Sequence, residues 1–241
     1  MKKQSGVSLS EVLVSLFLAS LIITMLMQFY ISSKRHYLEA EEILAAGLDL
    51  QWVSDLLSDS IRRAGFTPCL GIEQLQLKEN GELVRDLSIE KQLIQVNRMS
   101  EHFVTLVSMK NATQILVPHS ASFHEHRSLL IADCNHAEVH RIASIGKEAA
   151  GYLITLERPL QFIYAPETYV GEFLRERWFI KKNVSGNLAL YYQATQTEEV
   201  TSLIHSLQVI NQVVHGKPFL EINMGLAENK IHKIMVAVRG S

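Results

Sequence analysis

The chain has 241 residues, 47% of them hydrophobic, with 23 Lys and Arg against 25 Asp and Glu, for a formal net charge of −2. That near balance argues against a broad electrostatic grip on nucleic acid, which needs a surplus of Lys and Arg on one face. Setting aside an apolar anchor at the start, about 200 residues remain, enough for one sizeable domain with its own core.

The first thirty residues organise the rest. Met1-Lys2-Lys3-Gln4-Ser5-Gly6 is followed by Val7-Ser8-Leu9-Ser10-Glu11, then by an apolar run from Val12 to Met27 broken only by Ser15, Ser20 and Thr24. Extended by Phe29, Tyr30 and Ile31, the run is close to the roughly 20 residues that cross a bilayer as a helix. Glu11 stands at its entrance. A charge inside a spanning helix costs on the order of 3 kcal/mol, so such a carboxylate points to a function with a partner.

A secretory signal peptide places its small-residue cut site after the apolar stretch. Here the small residue, Gly6, comes before it. Cutting there removes Lys2 and Lys3, keeps the whole apolar helix, and creates an ammonium at Val7. That ammonium lies one helical turn from its own Glu11 and could equally meet the Glu11 of a neighbouring subunit.

Gly6 followed by Val-Ser-Leu-Ser-Glu and an apolar helix resembles the class III leader of type IV pilins and type II secretion pseudopilins. The resemblance implies that a prepilin peptidase cuts after Gly6 and methylates Val7, and that Glu11 helps subunits dock into a growing filament. The spacing from Gly6 to Glu11 matches the family. Val7 departs from the family's usual Phe, and Ser10 stands where an apolar residue is usual.

Lys34, Arg35 and His36 follow the apolar run, so positive charge flanks both ends and leaves the orientation open on that criterion. The leader resemblance, together with the cysteines, implies that the bulk of the chain lies outside the cytoplasm. It implies an inner-membrane single-pass protein with a periplasmic head before assembly and a pilus subunit at the cell surface afterwards. The expected division is a leader at 1–6, a long helix at 7–65, spanning the membrane at about 9–31 and amphipathic at 38–64, and a β-rich periplasmic domain at 66–241.

From Val7 to Ala64 there is no Pro, and Gly47 is the only Gly. An unbroken helix of that length spans roughly 85 Å. With no Pro in the membrane run, nothing in the sequence forces a kink there. Beyond the membrane the apolar residues thin to a stripe of Ile43, Gly47, Leu50, Val53, Leu57, Ile61 and Ala64, spaced to bury one face against a domain. A self-contained coiled coil is the alternative, although the stripe spans only three heptads. Gly65 then offers a left-handed cap, and Pro68 prevents resumption.

After Pro68, short β-rich runs follow one another: Leu93 to Val96, Phe103 to Ser108, Gln114 to Val117, Ser128 to Ala132, Val139 to Ile145, Tyr152 to Leu156, Arg177 to Lys181 and Leu188 to Gln193. Ser206 to Val214, Phe219 to Asn223 and Lys233 to Val238 complete the series. Asn80-Gly81, Ser185-Gly186-Asn187 and Gly216-Lys217-Pro218 are turn signals. The least patterned stretch, Ile72 to Glu90, reads as a loop-rich excursion. One long helix followed by many strands predicts an α+β fold, an antiparallel sheet packed on the helix stripe.

Two cysteines, Cys69 and Cys134, allow one intramolecular pairing; the other reading is two unrelated buried thiols. In an oxidising compartment a bridge would fasten the segment after the helix to the strand end at Cys134, worth on the order of 4 kcal/mol in the chain-entropy model. Arg62-Arg63-Ala64-Gly65-Phe66 with Cys69, and Ile131-Ala132-Asp133-Cys134 with Ala137 to Ile142, resemble the corresponding stretches of PilW-type minor pilins. The late order Gly186 to Tyr191 and Leu203 to Val209 does so too. This resemblance implies a low-abundance subunit that primes or caps a type IV pilus, with other minor pilins, the major pilin, the prepilin peptidase, the inner-membrane assembly platform and the bilayer as partners.

Catalysis has no constellation to rest on. His119, His124 and His126 crowd one stretch, and His136 lies four residues before His140 beside Asp133 and Cys134, but neither group has the context of a ligand cage. No phosphate loop or dinucleotide fingerprint is present. The expectation is therefore no enzyme, no cofactor, no metal and no direct nucleic-acid binding. Two rival readings are a minor pseudopilin of a type II secretion system and an uncleaved single-pass anchored periplasmic protein.

Overall fold

The computed structural model describes residues 8–79, 82–119, 123–214 and 217–238. The chain divides into two compact units, Met1–Gln51 and Trp52–Ser241. A single 54-residue helix, α1 (Leu9–Arg62), supplies most of the first unit and opens the second.

In the first unit every described residue up to position 45 is exposed. This part of α1 is long and apolar enough to cross a membrane, and none of its apolar window is buried within the chain. The expected amphipathic stripe is only partly realised. Ile43 is 67% exposed and Gly47 is exposed, whereas burial is complete at Val53, Leu57 and Ile61, which face the core of the second unit. The compact unit accordingly begins at Trp52, inside the helix, rather than where the helix ends.

Gly65 takes the left-handed conformation, φ 68°, just past the helix end. A Cβ there would stand 2.8 Å from that of Asp86, so both its backbone angle and its surroundings favour glycine.

Sixteen strands are described. The excursion after the helix carries β1 (Lys78–Glu79), β2 (Glu82–Leu83) and β3 (Leu87–Glu90). Its sequence resembles loop because these strands are two to four residues long and carry charges on their exposed positions. Then come β4 (Leu93–Met99), β5 (Val104–Thr105), β6 (Ser108–Asn111), β7 (Gln114–Val117), β8 (Ser128–Ala132), β9 (Ala137–Glu148) and β10 (Gly151–Leu156). The long β11 (Tyr169–Lys182), β12 (Leu188–Gln193) and β13 (Thr197–Thr201) finish the large sheet; β14 (Ser206–Val214), β15 (Lys217–Gly225) and β16 (Ile231–Ala237) form a separate three-stranded antiparallel sheet.

β11 is the spine of the large sheet. Its C-terminal half pairs with β4 on one side and β12 on the other, while its N-terminal half pairs with β5 and β8. From β8 the ladder runs through β9, β10, β7 and β6. β5 and β6 are the two ends of one segment, whose middle is tied by Leu106 N–H to the Thr168 carbonyl and Val107 N–H to the Leu116 carbonyl. The hydrogen-bond path therefore returns to β11, and this half of the sheet closes into a small barrel. Its interior is the cluster of Leu106, Ile115, Val117, Leu129, Ile131, Ile142, Ile154 and Val170 with their neighbours. An open antiparallel sheet read from alternating runs does not anticipate this closure, because the closing strands are only two and four residues long.

The other half of β11 receives the helix. Ser60 Oγ donates to Glu176 Oε2 and accepts the Trp178 indole N–H at 3.1 Å. Arg98 engages Glu176 Oε1 through Nε and Nη2, at 2.8 and 2.7 Å, with the two side chains 11% and 5% exposed. Ser54 Oγ meets His232 Nε2 of β16 at 3.1 Å. Burial, and next the charge of Glu176, push the Tyr192 hydroxyl up to about 12. A buried ion pair of this kind adds little net stability but is costly to break. Glu176→Ala leaves the Arg98 guanidinium without its countercharge and is expected to cost about 3–5 kcal/mol, measured by chemical denaturation of the full chain, with Glu42→Ala at an exposed helix position as a near-neutral control.

Candidate functional site

Gly6 and Val7 lie outside the described residues, so the geometry begins at Ser8. The Ser8 carbonyl accepts the first bonds of α1, from the N–H groups of Glu11 at 3.0 Å and Val12 at 3.3 Å. Glu11 Oε2 in return accepts the Ser8 N–H at 3.1 Å, and Ser8 Oγ lies 2.8 Å from Ser10 Oγ. This is the returning half of a capping box, in which the third helical residue satisfies a donor that the helix itself leaves open. The lone carboxylate is thus turned back toward the start of the helix. It is exposed within the chain, and the residues that follow it expose Leu13, Phe17 and Leu21.

The first 27 residues match the model of the prokaryotic N-terminal methylation motif. No curated protein matches the chain, and no solved structure does. The match covers the residues from Met1 through Met27, including Gly6, Val7 and Glu11, and gives the chain a type IV pilin-like leader. The leader and the apolar helix behind it are consistent with membrane anchoring.

Cys69 and Cys134 are joined by a disulfide with Cα atoms 5.4 Å apart. The bond ties the segment that follows the helix to the turn between β8 and β9. The segments that lead into one wall and the floor of a groove start from that bond.

The groove, ≈ 1270 Å³ in volume, runs along β9 between the segment 74–79 and the loop 157–162. Its floor contains Glu138 and His140, both buried. Glu138 Oε1 accepts the Phe162 N–H at 2.9 Å and the Tyr164 hydroxyl at 3.2 Å. Oε2 accepts the Gln161 N–H at 2.9 Å and lies 2.9 Å from His140 Nε2. Burial alone would raise the Glu138 carboxyl, but the bonds from His140 and the two backbone N–H groups outweigh it and hold the group below its ordinary value. Tyr164, buried and facing that carboxylate, is pushed far up. The carboxylate therefore pins the 157–164 loop, a role invisible in a sequence where Glu138 reads only as one polar residue of a strand.

Among the described residues, the histidines of these two stretches do not come together as a ligand set. His119, His124 and His126 are exposed. His136 lies in the turn before β9, where the Asn135 and His136 N–H groups bond Asp133 Oδ1, and its ring stacks on Phe162 at 4.1 Å. Among the described residues no three of His, Cys, Asp and Glu come together as a metal-binding group.

Asp86, which crowds Gly65, has a carboxyl raised to about 6, first by burial and then by its hydrogen bond and charge contact with Glu73. Its protonated form is favoured by folding. The stability it contributes is complete below its ordinary value of 3.8 and is lost as pH rises through about 6. Glu138 has the opposite sign: its contribution is present above 4.5 and is lost as pH falls through its depressed folded value. Denaturation midpoints taken from pH 3 to pH 8 are expected to lose their decline between about 4 and 6 in Asp86→Asn. In Glu138→Gln they are expected to lose part of the acid-side fall.

Proposed function

We propose that this chain is a minor pilin of the PilW type, incorporated into a type IV pilus and helping to prime or cap it. The observation that carries the reading is the match of residues 1–27 to the N-terminal methylation motif, followed by a helix whose apolar surface the chain leaves uncovered.

Prepilin peptidase cuts after Gly6 and methylates Val7. Before assembly the helix lies in the inner membrane and the β-rich domain in the periplasm, an oxidising compartment that suits the Cys69–Cys134 bond. On assembly, apolar residues that faced lipid face the helices of other minor pilins and the major pilin, delivered by the membrane platform. Glu11 exchanges the Ser8 N–H of its own helix for the ammonium at Val7 of a neighbour. Such a pair in a medium of low dielectric adds little net stability, but an orphaned partner costs about 3–5 kcal/mol. It therefore selects one axial register. The role is assembly, with no catalytic turnover.

Glu11→Ala is expected to insert in the membrane as before and to fall at least severalfold in sheared pili, read by quantitative immunoblot of membrane and pilus fractions. Unchanged incorporation would remove Glu11 from the docking step. Loss of enzyme secretion with normal piliation in a deletion strain would instead favour a pseudopilin.

A further inference from the structure

The groove along β9 has a composition that its pinning role does not explain. Its acidic residues are already engaged inside the protein: Glu138 by four donors, Glu79 by Arg175, and Glu157 by Arg141 at 3.6 Å. Anionic charge is therefore not on offer to a ligand. Of the cationic lining, Arg141 holds Glu157 and the His126 carbonyl, Arg158 is engaged as well, and Lys78 is exposed; the rest of what faces the opening is neutral and hydrogen-bonding. The side chains of Gln74, Gln76, Ser128 and Gln161 line it and bond no other described residue.

His140, whose Nε2 meets Glu138, lies at the floor. At one wall Phe162, 38% exposed, presents its ring with His136 stacked on it.

Planar amides pair a donor with an acceptor on one plane and can address two adjacent hydroxyls at once. An exposed ring beside them gives the C–H face of a sugar an apolar surface, which follows the usual pattern of an apolar contact oriented by a few polar groups. A peptide would need side-chain pockets, and apolar lining is limited here. At ≈ 1270 Å³ the groove exceeds the roughly 300–1,000 Å³ of single small-molecule clefts, which suits an extended ligand over a monosaccharide. We propose that this groove binds a short neutral oligosaccharide, with Gln74 on one wall and Gln161 and Phe162 on the other as its contacts. The Cys69–Cys134 bond joins the segments that lead into the Gln74 wall and the β9 floor, and so holds that wall against the floor. The site is independent of Glu11 and of the amino terminus, so it stands or falls apart from the assembly reading.

Saturation-transfer NMR of the full chain in lipid nanodiscs, with chitotetraose, cellotetraose and maltotetraose as probes, tests it. At least one tetrasaccharide is expected to bind. Gln161→Ala and Phe162→Ala should each weaken that binding about three- to tenfold, the range expected when one hydrogen bond or one ring face is taken from a ligand. Gln74→Ala, an exposed position whose side chain bonds nothing else among the described residues, serves if Phe162→Ala fails to fold. Gln193→Ala, outside the groove, should leave binding unchanged. Absence of binding to all three probes, or binding that the groove substitutions do not weaken, would overturn the proposal.

Discussion

The arrangement of this chain follows from apolar surface that it does not bury itself. From residue 8 to residue 45 every described residue is exposed, although Val, Leu, Ile, Phe and Met dominate the first half of that stretch. Left in water, each such side chain forgoes about 1.5–3 kcal/mol of burial. The first part of α1 is therefore suited to lipid or to packing against other helices, and a helix satisfies its backbone hydrogen bonds in either setting. Glu11 is intelligible on the same terms. It is the one acid at the apolar run, and its only partner among the described residues is a backbone N–H of its own first turn.

The same helix changes character at its other end. From Val53 onward one face is fully buried, and the polar groups on it are paired: Ser54 with His232, Ser60 with Glu176 and Trp178. Packing supplies the favourable area, while the Arg98–Glu176 pair sets the position, since any shift would strand a buried charge. The second unit thus has a helix end clamped on half of β11, a closed barrel built on the other half, and the separate sheet of β14, β15 and β16. Gly171 marks the crossing between the halves, where a Cβ would come within 2.6 Å of Met99.

Much of this is legible in the sequence because it depends on short-range rules. The helix, its glycine cap at Gly65, and strands β7, β8, β12 and β14 follow from periodicity and turn chemistry, and so does the α+β class. Glu11 stands out because a single charge in an apolar run has no local explanation. The N-terminal half of β11 does not, since Gly171 and Glu172 interrupt its apolar pattern and its burial comes from strands far away in sequence. β13, an edge strand reading Thr-Glu-Glu-Val-Thr, looks like loop because edges carry charge. Barrel closure and the pinning role of Glu138 depend on pairings between segments 23 to 66 residues apart, which no local pattern records. The groove is hidden for the same reason: its walls come from segments that share no motif.

The account rests on a processed amino terminus that leaves the apolar helix in place. Intact-mass and amino-terminal peptide mass spectrometry of the protein from native membranes, with and without prepilin peptidase, measures this directly. The account predicts a chain beginning at Val7 with one added methyl group, and retention of residues 1–6 when the peptidase is absent. A chain that still carries Lys2 and Lys3 in cells with an active peptidase would contradict it.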